Sequence, residues 1–82
     1  GPGEFRQIGT WIGEVLDAVV VESSPSREEG RQGQARATVL TSEPAIRSRI
    51  EGPLDALVLG TRVRVRVEAA DPQTRSVQLS VL

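Results

Sequence analysis

The sequence predicts an all-β fold, a small barrel of five antiparallel strands. Short segments rich in Val, or alternating between apolar and polar residues, recur along the 82 residues, and Gly, Pro, Ser or Asp bound each of them. In residues 61–68, TRVRVRVE, Val alternates with Arg, and this is the clearest strand of the chain. A chain of this length forms one domain, and closing its sheet into a barrel removes the exposed edges that a small β domain must otherwise protect.

The first strand is predicted over residues 13–22, GEVLDAVVVE, because the segment is Val-rich and starts at a glycine. Val15, Val19 and Val21 share one parity, and Asp17 interrupts them, which predicts a bend or bulge near Asp17. Residues 23–33, SSPSREEGRQG, contain no apolar side chain and are predicted to form a flexible loop.

The second and third strands follow this loop. Residues 34–41, QARATVLT, alternate so that Ala35, Ala37 and Val39 share one face. Residues 45–51, AIRSRIE, have a spacing that suits either a strand or a helix. The segment is short and is bracketed by prolines, which favours a strand.

The last third of the chain supplies a connection and two further strands. Pro53 suits the first position of a short helical turn over residues 54–59, which Gly60 then closes. In the fourth strand, Val63, Val65 and Val67 face one side while Arg62, Arg64 and Arg66 face the other. Residues 71–74, DPQT, are typical of a type I turn, and Val77, Leu79 and Val81 are predicted to point inward from the fifth strand. Five strands with a helical element between the third and fourth are the order of the OB fold, a Greek-key barrel.

Composition excludes several classes of function. The chain has no Cys and no His, so we expect no disulfide, no zinc site and no His-based acid–base catalysis. Its serines and carboxylates lack a His or Cys with which to form a nucleophilic site, so we predict a protein that is not an enzyme by itself and uses no cofactor. All ten basic residues are Arg, whose planar donor fork suits phosphates and bases, although a GC-rich genome explains the same composition.

Residues 1–5, GPGEF, are predicted to be an expression-tag remnant, which leaves residues 6–82 as the domain and suggests a fragment of a longer protein. No apolar run approaches the roughly 20 residues of a membrane helix, and the N-terminus has no signal-peptide pattern. We therefore expect a cytoplasmic protein that does not contact a membrane.

Residues 60–80, GTRVRVRVEAADPQTRSVQLS, resemble the closing strands of the RNA-binding domain repeated in ribosomal protein S-one. The segments SEPAIRSRIEGPL and DPQTR look like one subgroup, the C-terminal cap of RNase II-family (RNB) exoribonucleases from GC-rich bacteria. The resemblance covers residues 13–82 except the loop 23–33. It implies a monomeric module that binds single-stranded RNA and guides it to the catalytic domain of a 3′-to-5′ exoribonuclease, the rest of the parent chain.

The binding face of that family carries two Phe, one His, one Asp and one Arg. The Asp and Arg correspond to Asp71 and Arg75, whereas the segments that would hold the Phe and His contain neither. Base–aromatic stacking is worth about 1–3 kcal/mol per base, so we expect weak RNA binding. Arginine can stack on a base and contact phosphate, which makes further arginines candidates. The complete set of candidate RNA-binding residues is Arg36, Arg47, Arg49, Arg75, Asp71, Arg31 and Arg27.

Each of these features has a structural alternative. Asp71 suits the turn before Pro72 whatever the protein does, and the arginines of the fourth strand suit a solvated face. Trp11 suits a core or lid position as well as stacking on RNA or on a catalytic domain. The alternative function is a structural or protein-interaction module with little RNA affinity, which an exposed apolar patch would favour.

Overall fold

The computed structural model describes residues 11–71, 73–74 and 76–82, so the predicted tag remnant lies outside the described residues. Five strands form one antiparallel sheet. Their bounds are β1 Val15–Pro25, β2 Gln34–Leu40, β3 Arg47–Pro53, β4 Arg62–Asp71 and β5 Ser76–Val81. Within the part of the chain that the structure describes, no helix is long and apolar enough to cross a membrane.

The sheet curls into a nearly closed barrel. Its strand order is β3-β2-β1-β4-β5, and every neighbouring pair is antiparallel. The two outer strands, β3 and β5, approach each other, and Ser48 Oγ donates a hydrogen bond of 2.9 Å to the Val77 carbonyl. The predicted all-β barrel of five strands is therefore confirmed, and its strand order is that of the OB fold.

The barrel interior is filled by the alternating apolar residues of all five strands. The inward positions predicted for β2, β4 and β5 are confirmed, because their side chains are buried or pack against the core. The arginines that alternate with the β4 valines are exposed. The fully buried side chains of greatest volume are Leu57, Val20, Val39, Val65 and Val67.

The predicted position of the bulge in β1, near Asp17, was wrong. Leu16, Ala18 and Val20 face the core, and the register with β4 is regular through Asp17. The bulge lies between Val20 and Glu22, in the register with β2. Asp17 is a solvent-facing residue of a regular strand, and the extra residue of the bulge is Val21, after which the odd-numbered residues face the core.

The strand also continues into the predicted loop. Ser23, Ser24 and Pro25 pair with residues of β2, so β1 ends at Pro25 and only residues 26–33 connect it to β2. The absence of apolar side chains concealed this extension, because the segment is stabilised by backbone pairing with β2 rather than by burial. The predicted flexibility of the loop remains a prediction.

The predicted helical turn at residues 54–59 is not confirmed. The structure has hydrogen-bonded turns there and no helix: Ala56 N and Leu57 N both donate to the Pro53 carbonyl, at 3.0 and 3.1 Å. Gly60 then adopts a φ of 84°, which only glycine accepts readily, and the chain enters β4. The connection still buries Leu57 in the barrel.

Trp11 closes the barrel beside the start of β1. Its side chain is half-buried and packs against the core, and the next turn is fixed by Gly13 N donating to the Val67 carbonyl at 2.7 Å. Of the alternatives for Trp11, the structure therefore supports the core or lid position.

Gly52 of β3 permits a close approach to β5. A Cβ at this position would lie 2.8 Å from Val81 Cγ2 and 3.4 Å from Leu57 Cδ1. We expect Gly52→Ala to lower the free energy of unfolding by about 1–3 kcal/mol, the usual cost of overpacking a core. Urea denaturation of Gly52→Ala, Val81→Ala and the double variant measures this. A double variant less destabilised than the sum of the two singles would show the clash, and an unchanged single variant would contradict it.

Candidate nucleic-acid interface

Three of the predicted RNA-binding arginines share one outer surface. The register of β2 and β3 places Arg36 opposite Glu51, Thr38 opposite Arg49, and Leu40 opposite Arg47. Residues two apart on a strand lie on the same face, so all six side chains point away from the core. We call this surface the β2–β3 face: Arg36, Thr38, Leu40, Arg47, Arg49 and Glu51. The structure thus brings Arg36, Arg47 and Arg49 together on the second and third strands, the segments in which the sequence places them.

Glu51 partly neutralises one end of the β2–β3 face. Its Oε2 accepts a hydrogen bond of 3.3 Å from Arg31 Nη1, and its Oε1 lies 3.9 Å from Arg36 Nε. All three side chains are at least half exposed, and exposed pairs of this kind are worth about 0–1 kcal/mol. A phosphate could therefore replace the carboxylate at small cost.

Glu22 partly neutralises the opposite end of the β2–β3 face. Because the bulge in β1 turns Glu22 outward opposite Thr38, its Oε1 lies 3.0 Å from Arg47 Nη2. Arg49 has no carboxylate within 4.0 Å among the residues that the structure describes. Three arginines against two glutamates leave this surface with one net positive charge.

A groove of about 700 Å³ lies beside Arg36 and Arg49, where β3 approaches β5. Thr38 is part of its lining and is only 8% exposed although it lies on the outer face of β2. The polar residues that line it are Glu22, Ser23, Ser24, Arg36, Thr38, Arg49, Glu51 and Gln78. Sequence reasoning missed Thr38 and Gln78, whose alternation with buried residues was visible, and Glu22, whose orientation depends on the bulge.

The other predicted site residues are placed differently. Asp71 Oδ1 accepts a hydrogen bond of 2.9 Å from Gln73 N, which is the turn-forming alternative, and Asp71 does not line the groove. Arg75 lies outside the described residues. Arg31 reaches the β2–β3 face through Glu51, whereas Arg27 is exposed in the connection between β1 and β2 and does not line the groove.

Residues 14–82 match the family described as the RNase II-type exonuclease C-terminal S1 (S-one) domain. The chain belongs to this family. The match spans all five strands and the whole β2–β3 face, and it confirms the resemblance read from the closing strands. S1 domains bind single-stranded RNA and occur within RNase II-type proteins, so this S1 domain is an RNA-binding accessory module and not a catalyst.

One curated relative aligns with a small part of the S1 domain. A segment of 29 residues, 35% of the chain, is 66% identical to part of a serine hydroxymethyltransferase from Phenylobacterium zucineum (strain HLK1). The aligned segment is 7% of that protein's length, so the activity in its name is not carried over to this chain. No solved structure matches the chain.

This S1 domain departs from the family's binding face in its chemistry. The chain has two aromatic residues, Phe5 and Trp11; Trp11 packs against the core, and Phe5 lies outside the described residues. The β2–β3 face has no aromatic or His side chain and carries arginine, threonine and leucine instead. Across residues 11–71, 73–74 and 76–82, no three carboxylates gather to hold a metal ion. The surface is therefore suited to phosphates more than to stacked bases.

Proposed function

We propose that this S1 domain guides single-stranded RNA toward the catalytic domain of an RNase II-type 3′-to-5′ exoribonuclease. The observation that carries the proposal is the placement of Arg36, Arg47 and Arg49 on one exposed face of β2 and β3, the strands with which OB folds bind oligonucleotides. Membership of the S1 family is the reason for choosing single-stranded RNA as the ligand and an RNase II-type protein as the parent.

The arginines both attract the negatively charged RNA and form its direct contacts. Their guanidinium groups can each take two phosphate oxygens, or stack on a base, and they contact the backbone without reading its sequence. Arg49 is available at once, while Arg36 and Arg47 exchange Glu51 and Glu22 for phosphate. With one net positive charge and no aromatic platform, the isolated domain is expected to bind RNA with a Kd near or above the micromolar range.

Fluorescence anisotropy of a labelled single-stranded RNA of about 4 nucleotides, the smallest site size of one OB fold, tests the face. We expect salt-sensitive binding that Arg36→Ala/Arg47→Ala/Arg49→Ala abolishes. The matched control is Arg62→Ala/Arg64→Ala/Arg66→Ala, which removes the same charge from another strand. Equal losses in both variants, or no binding at low salt, would contradict the proposal.

The guiding role is tested in the full-length parent protein. There the variant lacking Arg36, Arg47 and Arg49 should raise KM for single-stranded RNA with little change in kcat, because it removes binding far from the chemistry. A lower kcat with an unchanged KM would mean that the domain acts on the catalytic step instead.

A second candidate function is packing against the parent chain. Val58, Leu59 and Leu82 are each about half or more exposed, and Val58 and Leu82 border a second groove of about 560 Å³. Apolar groups of this kind are found where a domain contacts another protein surface. Leu59→Ser should weaken association with a separately expressed catalytic domain if this surface packs there, and should leave RNA affinity unchanged.

A further inference from the structure

The outer face of β4 carries a second row of arginines, which the β2–β3 face does not include. We call Arg62, Arg64 and Arg66 the β4 stripe; all three are exposed and alternate with inward valines. Alternate residues of a strand lie about 6.7 Å apart, so the backbone positions of the three arginines are evenly spaced along β4. Asp17 Oδ1 lies 3.6 Å from Arg64 Nε. No carboxylate of the described residues lies within 4.0 Å of Arg62 or Arg66.

The β4 stripe is connected to the β2–β3 face by one row of residues. Val19 pairs with Arg62 of β4 on one side and with Leu40 of β2 on the other, and Leu40 pairs with Arg47 of β3. We call Arg62, Val19, Leu40 and Arg47 the transverse row. Among the described residues, Val19 is the position at which β1 passes from pairing with β4 to pairing with β2. The transverse row therefore crosses four strands without interruption.

The middle of the transverse row is apolar and open to solvent. Val19 is 40% exposed and Leu40 is 36% exposed, and an arginine lies at each end. Three strand spacings of about 4.8 Å separate Arg47 from Arg62, which is about 14 Å along the curved sheet. Cations at both ends with apolar side chains between them suit a segment of nucleic acid, whose phosphates are charged and whose base faces are apolar.

We infer that the RNA track continues beyond the β2–β3 face, across Val19 and Leu40, onto the β4 stripe. The ligand of the stripe is the sugar–phosphate backbone of a single strand, and the inference rests on the proposed function of the β2–β3 face. A short RNA occupies the β2–β3 face alone, and a longer one turns around the barrel and adds up to three phosphate contacts on β4. Contacts of this kind add affinity and salt dependence without sequence preference.

The charge pattern favours a nucleic-acid backbone over a protein partner on β4. Two of the three guanidinium groups have no carboxylate within 4.0 Å among the described residues, and Arg62 and Arg64 also border the second groove beside Val58 and Leu82. A partner protein would need a matching line of carboxylates, whereas every single-stranded RNA has a charge at each nucleotide.

Affinity as a function of RNA length tests the inference. Anisotropy titrations would use single-stranded RNAs of about 4 and about 16 nucleotides, which span the site sizes of one OB fold, at several salt concentrations. The variants are Arg62→Gln/Arg64→Gln/Arg66→Gln and Arg36→Gln/Arg47→Gln/Arg49→Gln. A third variant adds Glu14→Gln/Glu29→Gln/Glu43→Gln to the β4 changes and so restores the net charge; these three carboxylates are exposed, lie outside β4 and form no ion pair with a described residue.

We expect the β4 variant to bind the longer RNA about tenfold or more weakly, with a salt slope smaller by about 2, since each phosphate contact on a single strand contributes about 0.7. Binding of the shorter RNA should change less than twofold, and the charge-restored variant should remain weak. Unchanged binding of the longer RNA, or full recovery in the charge-restored variant, would overturn the inference. The proposal that the β2–β3 face binds RNA would not be affected. Failure of the unmodified domain to bind either RNA would instead refute the proposed function itself.

Discussion

Leu57→Ala is expected to lower the free energy of unfolding by about 2–5 kcal/mol, the range measured for truncating a buried leucine. Leu57 is 1% exposed and fills the interior from the connection between β3 and β4. Its backbone is also held in place, because Leu57 N donates to the Pro53 carbonyl and Ser23 Oγ donates to the Leu57 carbonyl at 2.6 Å. These bonds hold the connection in place, so its backbone cannot easily move inward to fill the cavity.

The loss is large for a domain of this size. Small domains are stable by about 5–15 kcal/mol, so a cost at the upper end leaves much of the population unfolded. Urea denaturation followed by circular dichroism measures the change, and Leu59→Ala is the matched control. Leu59 lies two residues away and is 64% exposed, so its truncation should change stability by less than about 0.5 kcal/mol. Equal effects of the two variants would mean that Leu57 is not a core residue in solution.

The strands could be predicted from the sequence where alternation and burial coincide. In β2, β4 and β5 the predicted inward residues are buried or pack against the core, so a period of two was sufficient, although Leu40 of β2 is an apolar residue on the outer face. It failed in β1, whose outward residues include Val15 and Val19 and whose first half is therefore apolar on both sides. Prediction from a period of two failed again at residues 23–25, which form a strand because β2 lies beside them.

The connection at residues 54–59 shows a different limit. Pro53 and Gly60 are typical boundaries of a short helix, yet only one hydrogen bond of α-helical span forms between them, from Leu57 N to the Pro53 carbonyl. The cost of nucleating a helix is not recovered in so few residues, and burial of Leu57 decides the backbone path. Tertiary packing is not visible in local signals of this kind.

The arginines of the candidate site could be predicted from the sequence, whereas the glutamates that pair with them could not. Arg36, Arg47 and Arg49 were selected because they fall on the second and third strands, with which OB folds bind oligonucleotides, and the register places them together. Glu51 alternates with them, but its contacts with Arg31 and Arg36 depend on the return of the connecting loop. Glu22 belongs to β1 and reaches Arg47 only because the bulge reverses the parity of the strand.

Substitution of these two glutamates is expected to have a large effect on RNA affinity. Glu22→Gln/Glu51→Gln is expected to strengthen binding of single-stranded RNA about five- to tenfold at low salt. Each glutamate would lie near a bound phosphate, and two like charges about 7 Å apart in water repel by about 0.6 kcal/mol. Removing both repulsions is worth about 1.2 kcal/mol, close to a factor of ten, and it also releases Arg36 and Arg47 for phosphate.

The control must change the net charge equally without touching the β2–β3 face. Glu29→Gln/Glu43→Gln does so, because both residues are exposed in connections between strands and neither forms an ion pair with a described residue. Anisotropy titrations of both double variants between low and near-physiological salt separate a local effect from a general one. A gain confined to Glu22→Gln/Glu51→Gln, fading as salt screens the charges, would show that these glutamates compete with RNA for the arginines. The same gain in the control would mean that net charge alone sets the affinity and that the ion pairs of the face do not limit it.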